Sequence, residues 1–297
     1  MVETFDEDRR VRRRLLQGAL GLGALHLAAG NARAQTDAKP SEALVASQMP
    51  VKGVGLEHIG TTVKDVTPSA KFFGRVFNTF LYKEKDPPLR YYVTLDPGYI
   101  AIGGNESRTT GVIDHDCVLA DGYDRAAMAV RLEREGFAQG NRGIFGDPDG
   151  LRLQLLTGGG LAATTEPAGR LVDGEPLVRP RGLHRVLRLV TDVERSTAFY
   201  RKMLGGEPQT DAEGTWFKVG PTRFGIRLAR AGETPRIDRF CVNVAAGGYD
   251  RDAVAKSLAG LGATIVKDDS PYLHFQSPDG IGVELRPVDP AKLWDRT

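Results

Sequence analysis

The sequence predicts an α+β fold, built twice over. Three observations predict it. A strand-like run ending in Asp and followed by an amphipathic helix occurs in each half: His58–Asp65 before residues 69–77, and Arg185–Asp192 before residues 196–204. Ile113-Asp-His-Asp-Cys-Val matches Ile237-Asp-Arg-Phe-Cys-Val, and both lead through Tyr-Asp-Arg into a helix. Asp147-Pro-Asp-Gly and Ser277-Pro-Asp-Gly each open an alternating strand. Strand, helix and strands, read twice per half, imply mixed and strongly curved sheets.

Composition agrees. The chain has 297 residues, 41% hydrophobic, 26% charged and 7% aromatic, which is ordinary for a globular protein with a sizeable core. It excludes a mainly disordered chain, a collagen-like repeat and a disulfide-stapled miniprotein. At roughly 150 residues per domain the length suggests about two domains. The net charge is only +2, so no nucleic-acid-binding coat of Lys and Arg is indicated.

The elements follow in order. Residues 1–34 read as an export signal: Arg9-Arg-Val-Arg-Arg-Arg14, an apolar run Leu15–Gly30, then the small-x-small site Ala32-Arg33-Ala34. The run is short and Gly-rich for a membrane span, which needs ~20 residues. Arg13-Arg14-Leu15-Leu16 resembles a twin-arginine signal, with a general secretory signal as the alternative. The expected location is therefore periplasmic or secreted, with no stable membrane span after cleavage. This segment holds six arginines against four acidic residues, so the chain from Gln35 onward is formally neutral. Residues 35–53 read as a linker, 54–157 as the first domain, 158–181 as a Gly/Thr/Pro-rich linker, 182–287 as the second domain and 288–297 as a tail.

Phe72, Phe73 and Phe77 mark the buried face of one helix, and Phe199, Tyr200 and Leu204 that of its repeat, with Asp65 and Asp192 as N-terminal caps. Gly136 and Gly262 are helix stops, and the Pro-Asp-Gly turns use Pro for its fixed φ and Gly for a positive one. Cys117 and Cys241 lie in apolar strands of different domains and are expected as buried free thiols.

Leu187-Arg-Leu-Val-Thr-Asp-Val-Glu-Arg-Ser-Thr-Ala-Phe-Tyr-Arg-Lys-Met-Leu-Gly205, with the two Pro-Asp-Gly strands, resembles the vicinal oxygen chelate superfamily. That superfamily includes glyoxalase I, extradiol ring-cleaving dioxygenases, methylmalonyl-CoA epimerase, and fosfomycin- and bleomycin-resistance proteins. The resemblance implies tandem pairs of βαβββ modules, each pair curling into a cup. It further implies metal ligands on the first strand of each module and on the last strand of the second.

In the first half those positions hold His58, His115 and Gln154; the fourth falls near Ala101, which cannot bind metal. Two imidazoles and one side-chain oxygen suit a divalent transition ion, Fe(II) or Mn(II) first and Zn(II) or Cu(II) next. Gln154 stands where the family usually has Glu, which makes the site one negative charge short. In the second half Arg185, Arg239 and Glu284 occupy the same places. A guanidinium cannot be a ligand, so an internal ion-pair cluster is expected, with anion binding near Arg223 and Arg227 as the alternative.

Alternation adds Tyr99, Arg152 and Cys117 to the first cup, with one of Tyr91 and Tyr92. Tyr99 could donate a proton and Arg152 hold an anionic oxygen, which makes them the candidate catalytic residues; ordinary cavity lining is the alternative. Asp114 and Asp116 should point away from His115, His184 should face the far side, and His274 reads as packing or surface.

The implied function is a metal-dependent enzyme acting on a small substrate with two adjacent oxygens, first of all ring cleavage of a catechol-like compound. A glyoxalase- or epimerase-like isomerase and a non-catalytic binder of the bleomycin-resistance type are the alternatives. The expected partner is a small molecule, and the expected state a monomer or homodimer.

Overall fold

A computed structural model describes residues 39–104, 109–268 and 270–289. The expected export signal at 1–34 lies outside the described residues. Among the described residues no helix is long and apolar enough to cross a membrane.

A short helix α1 (Glu42–Ala46), capped by Ser41, stands in the segment expected as a linker. The first half then runs β1 (Lys52–Val63), α2 (Val66–Val76), β2 (Phe80–Glu84), β3 (Arg90–Thr94), β4 (Tyr99–Gly104), β5 (Val112–Asp121), α3 (Arg125–Arg134), β6 (Ile144–Gly146) and β7 (Arg152–Leu156). A strand β8 (Thr165–Arg170) follows, where the sequence suggested only a connection; it pairs with β2 and forms the edge of the sheet there. The second half repeats the plan: β9 (Pro180–Val190), α4 (Val193–Leu204), β10 (Gln209–Thr210), β11 (Thr215–Val219), β12 (Thr222–Leu228), β13 (Arg236–Ala245), α5 (Arg251–Gly260), β14 (Thr264–Val266), β15 (Leu273–Gln276) and β16 (Gly282–Val288).

Each half has the same pairing. β1 lies parallel to β4 and antiparallel to β5, and β5 parallel to β7. Likewise β9 lies parallel to β12 and antiparallel to β13, and β13 parallel to β16. The halves meet where Ile113 of β5 pairs with Ile237 of β13, which makes one mixed sheet of the described strands. β1 is buried without a break from Gly55 to Val63, because one face looks into the cup and the other is covered by helix. Phe73 of α2 and Tyr200 of α4 are wholly buried, Tyr200 against Phe217 of β11 and Phe224 of β12.

Local chemistry explains the boundaries. Asp192, Asp124 and Asp250 cap α4, α3 and α5 by accepting backbone N–H bonds. Asp65 stands at the cap position of α2, but its side chain makes no capping bond, contrary to expectation. Gly136 (φ 83°) and Gly262 (φ 87°) end α3 and α5 in the left-handed conformation.

A buried charge cluster fixes the joint between the halves. Arg188 of β9 is fully enclosed and reaches across to the Asp116 carboxylate, to Asp147 Oδ2 at 3.2 Å and to the Arg152 carbonyl at 2.8 Å. Tyr200 of α4 donates its hydroxyl to the same Asp147 at 2.5 Å. Asp147, expected only as a turn residue, thus also ties the second half to the first.

Candidate metal centre

The first cup is shaped by two bulges. On β1 the register steps from Leu56 opposite Val118 to His58 opposite Cys117, leaving Glu57 as an extra residue. On β5 it steps from His115 opposite Gly60 to Ile113 opposite Thr61, leaving Asp114 as an extra residue. A bulge re-aims the side chain of the inserted residue. Here each inserted acid turns to the histidine that follows it: Glu57 bonds His58 Nδ1, and Asp114 Oδ2 lies 2.8 Å from His115 Nδ1. The expectation that Asp114 points away from His115 is therefore corrected; strict alternation fails at the bulge.

These bonds decide what the imidazoles can do. A carboxylate only accepts, so each Nδ1 carries the proton and each Nε2 is left with a lone pair. The two Nε2 atoms face each other at 3.1 Å. Two lone pairs at that distance repel unless a cation lies between them. With N–metal bonds of ~2.1 Å, donors about 3 Å apart subtend roughly a right angle at an ion. A carboxylate behind each ligating histidine is the usual support of a metal site. A shared proton is a poorer fit, because burial, outweighing the Asp114 bond, holds His115 below its ordinary range. The residues present therefore fit a divalent ion.

The other expected residues gather around this pair. Tyr99, opposite His58 on β4, stacks on its ring at 4.7 Å with 11° between planes. Burial first, then the Glu57 charge, push its phenol well above the ordinary range, so it stays protonated. Gln154 lines the same cavity and donates its amide N–H to the Arg142 carbonyl at 2.7 Å, which leaves the amide oxygen as the atom it could offer an ion. Arg152 also lines it, but its guanidinium is bonded to Asp114, at 2.6 Å to Oδ2. Burial raises the Asp114 carboxyl, yet His115 and Arg152 outweigh it and hold it at about 2. Tyr92 is the tyrosine of its pair that lines the cavity; its hydroxyl donates to Glu84 at 2.5 Å. The cavity measures about 700 Å³.

Sequence reasoning missed Gly60 as well as the two acids. A Cβ at Gly60 would lie 2.2 Å from His115 Cε1, so only glycine lets that ring into the cup. The signal available was a glycine inside a strand, which marks a bulge or a close approach. Glu57, His58 and Cys117 also bring ligand-type atoms within 4.8 Å of one another. Glu57 is already engaged by His58 Nδ1 and the Gly160 N–H, and burial keeps the Cys117 thiol protonated, so this trio supports the histidine rather than cradling the ion. Both cysteines are free and buried.

The second cup holds the expected ion-pair cluster. Glu284 accepts from Arg185 (Nη2 at 2.8 Å) and from Arg239 (Nε at 2.8 Å), and Glu213 adds two bonds to Arg185 at 2.7 and 2.9 Å. Arg185 is sandwiched between the rings of Trp216 and Tyr272, each 4.7 Å away. The bulges recur: Asp238 and His184 are the extra residues of β13 and β9. His184, expected on the far side, instead meets the Tyr272 ring edge-on at 6.0 Å, and burial with the neighbouring arginines lowers its pKa to about 3. His274 is buried and bonds Asp268 at 2.7 Å.

Residues 185–285 match the glyoxalase-like domain family. No curated protein sequence matches the chain. Among solved structures the chain is similar to the Mn(II)-bound glyoxalase from Novosphingobium aromaticivorans, at 16% identity and TM-score 0.56 over 81% of this chain and 85% of that one. It is similar to an extradiol ring-cleaving dioxygenase from B. fuscum, at 13% identity and TM-score 0.59 over 85% and 75%. It is also similar to the 2,3-dioxygenase LapB from Pseudomonas sp. KL28, at 13% identity and TM-score 0.53 over 80% and 98%. At these identities the likeness is one of fold. Residues 185–285 therefore carry a glyoxalase-like domain, and the chain as a whole has the fold of these glyoxalase and extradiol dioxygenase structures.

Proposed function

We propose that the chain is an exported, metal-dependent enzyme whose active site is the first cup, acting on a small substrate with two adjacent oxygens, a catechol-like ring foremost. The observation that carries this reading is the pair of Nε2 atoms 3.1 Å apart, each imidazole backed by its own carboxylate. His58, His115 and Gln154 would hold the ion, Fe(II) or Mn(II) before Zn(II) or Cu(II). A bound divalent ion would polarise both substrate oxygens and leave a position open for dioxygen.

The chain's own residues have definable parts. Glu57 and Asp114 keep both Nε2 lone pairs aimed at one point. They also stand one residue behind the ligands as the negative charge that Gln154 lacks. Tyr99 stays protonated and can donate to a developing oxyanion beside His58. Arg152 acts through Asp114, so it is a positioning residue in this reading. The basic, apolar and small-residue pattern of residues 1–34 supports export.

The test is elemental analysis of protein produced in its native host, beside a His58→Ala/His115→Ala variant. About one transition ion per chain, lost in the variant, with oxygen-dependent consumption of catechols, is expected. No metal after incubation with Fe(II), Mn(II), Zn(II) and Cu(II) would overturn the reading. The neutral amide at Gln154 favours one second reading, a binder of small aromatics without turnover; it gains if catechols bind but are never consumed.

A further inference from the structure

The wall of the first cup is not electrically neutral. Arg90, Arg125, Arg142 and Arg152 line it, against the carboxylates of Glu84 and Asp114. Asp114 is engaged by Arg152 and His115, and Glu84 by the Tyr92 hydroxyl. Among the described residues, Arg125 and Arg142 pair with no carboxylate, and Arg90 hydrogen-bonds the Tyr92 hydroxyl rather than an acid. The chain from Gln35 onward is formally neutral, so this excess is local.

Each of the three arginines is held there against a local preference or by a local concession. Arg142 has φ 59° and ψ 26°, a left-handed conformation that an arginine rarely adopts. Its carbonyl holds Gln154, and its neighbour Gly143 is seated so closely on the sheet that a Cβ would meet the Leu155 carbonyl and the Tyr123 hydroxyl, both at 2.7 Å. Arg125 occupies the first turn of α3, where a cation opposes the helix dipole, and the Asp124 carboxylate beside it is engaged by the Ala127 N–H. Its repeat, Arg251, donates to the carbonyls of Pro271 and Tyr272 at 3.5 and 3.3 Å; Arg125 has no such bond among the described residues. Arg90 lies across Gly103, where a Cβ would come within 3.3 Å of its Nε.

We propose that Arg90, Arg125 and Arg142 form an anion subsite in the first cup, and that the substrate carries a carboxylate set apart from its two adjacent oxygens. The substrate part rests on the reading of this cup as the active site. A guanidinium presents a planar fork of donors that matches a carboxylate; Arg125 and Arg142 are exposed and Arg90 half-buried, so an incoming anion can reach all three. The ion held by the histidine pair would take the oxygens and the arginines the carboxylate, so one molecule is oriented from two ends.

The test separates the two ends. Calorimetry at low salt on the full chain uses benzoate (a carboxylate without the oxygens), catechol (the oxygens without a carboxylate) and 3,4-dihydroxybenzoate (both). Benzoate is expected to bind the wild type and the His58→Ala/His115→Ala variant alike. Its affinity should fall at least tenfold in Arg125→Gln/Arg142→Gln, further when Arg90→Gln is added, and with rising salt. In metal-loaded wild type, 3,4-dihydroxybenzoate should bind more tightly than either fragment. An unchanged circular dichroism spectrum and unchanged metal uptake would show that the arginine variants keep the fold. Benzoate binding no better than neutral benzamide, or unchanged in the triple variant, overturns the subsite. Arginine-dependent benzoate binding in a chain that never takes up metal keeps the subsite and removes the metal reading; metal-dependent catechol binding blind to the arginines does the reverse.

Discussion

In the first cup His58 stands opposite Cys117 and His115 opposite Gly60. In the second, Arg185 stands opposite Cys241 and Arg239 opposite Leu187. The parallel partners correspond too: Gln154 pairs with Cys117 as Glu284 pairs with Cys241, and Tyr99 with His58 as Arg223 with Arg185. Even the bulges coincide. The two cups are therefore one backbone filled in two ways. The second is filled by its own charges: two arginines close on Glu284 and Glu213, and Trp216 lies over Gly225, where a Cβ would meet its ring at 2.3 Å. The first keeps two imidazoles facing each other and an open cavity. What separates them is the charge of three side chains at the same register: two arginines and a glutamate in the second cup, two histidines and a glutamine in the first.

The largest way to break this comparison is Glu284→Ala. Removing the shared acceptor leaves buried guanidinium groups undercompensated and should destabilise the chain by about 3–5 kcal/mol in urea unfolding. Metal binding in the first cup should survive; if both fall together, the cups are not independent. Gly60→Ala places a methyl where the His115 ring lies. It should cost about 100-fold in metal affinity by titration, as misplaced ligand geometry does, while the larger Leu187 is already tolerated at the matching place. Asp114→Asn removes the carboxylate behind His115 and should weaken metal binding by ~10–100-fold, or about 1.4–2.7 kcal/mol. Gln154→Glu gives the first cup the charge that Glu284 gives the second, and should tighten metal binding about tenfold. A Gln154→Glu protein that binds no more tightly would mean that residue 154 does not reach the ion.

Much of this was legible in the sequence because the repeat is written in types that sequence rules handle well. The Pro-Asp-Gly turns form as expected, with Gly150 at φ 77° and Gly280 at φ 89° and a closing bond of 2.8 Å in each. The convergence of His58, His115, Tyr99 and Gln154 on one cavity followed from strand periodicity once the ligand positions were in hand. Periodicity also produced the errors. It assigns each side chain a face by counting in twos, and a bulge breaks the count; hence Asp114 and His184 were put on the wrong side and Glu57 went unnoticed. Gly60 and Arg142 were silent for another reason. Their importance lies in the atoms a side chain would strike, or in a backbone angle, and neither is a pattern of residue types.

Arg188 has a consequence for how the chain can be divided. Its guanidinium, on a strand of the second half, is enclosed by Asp116, Asp147 and two carbonyls of the first. Cut the chain in its connecting stretch, and each piece would show water a charged, unmatched scar where the other had been. The halves look like interchangeable modules in their repeat, yet they are not separable parts. Shuffling experiments that trade one half for a relative's would have to carry Arg188 and its two acids as a single heritable unit.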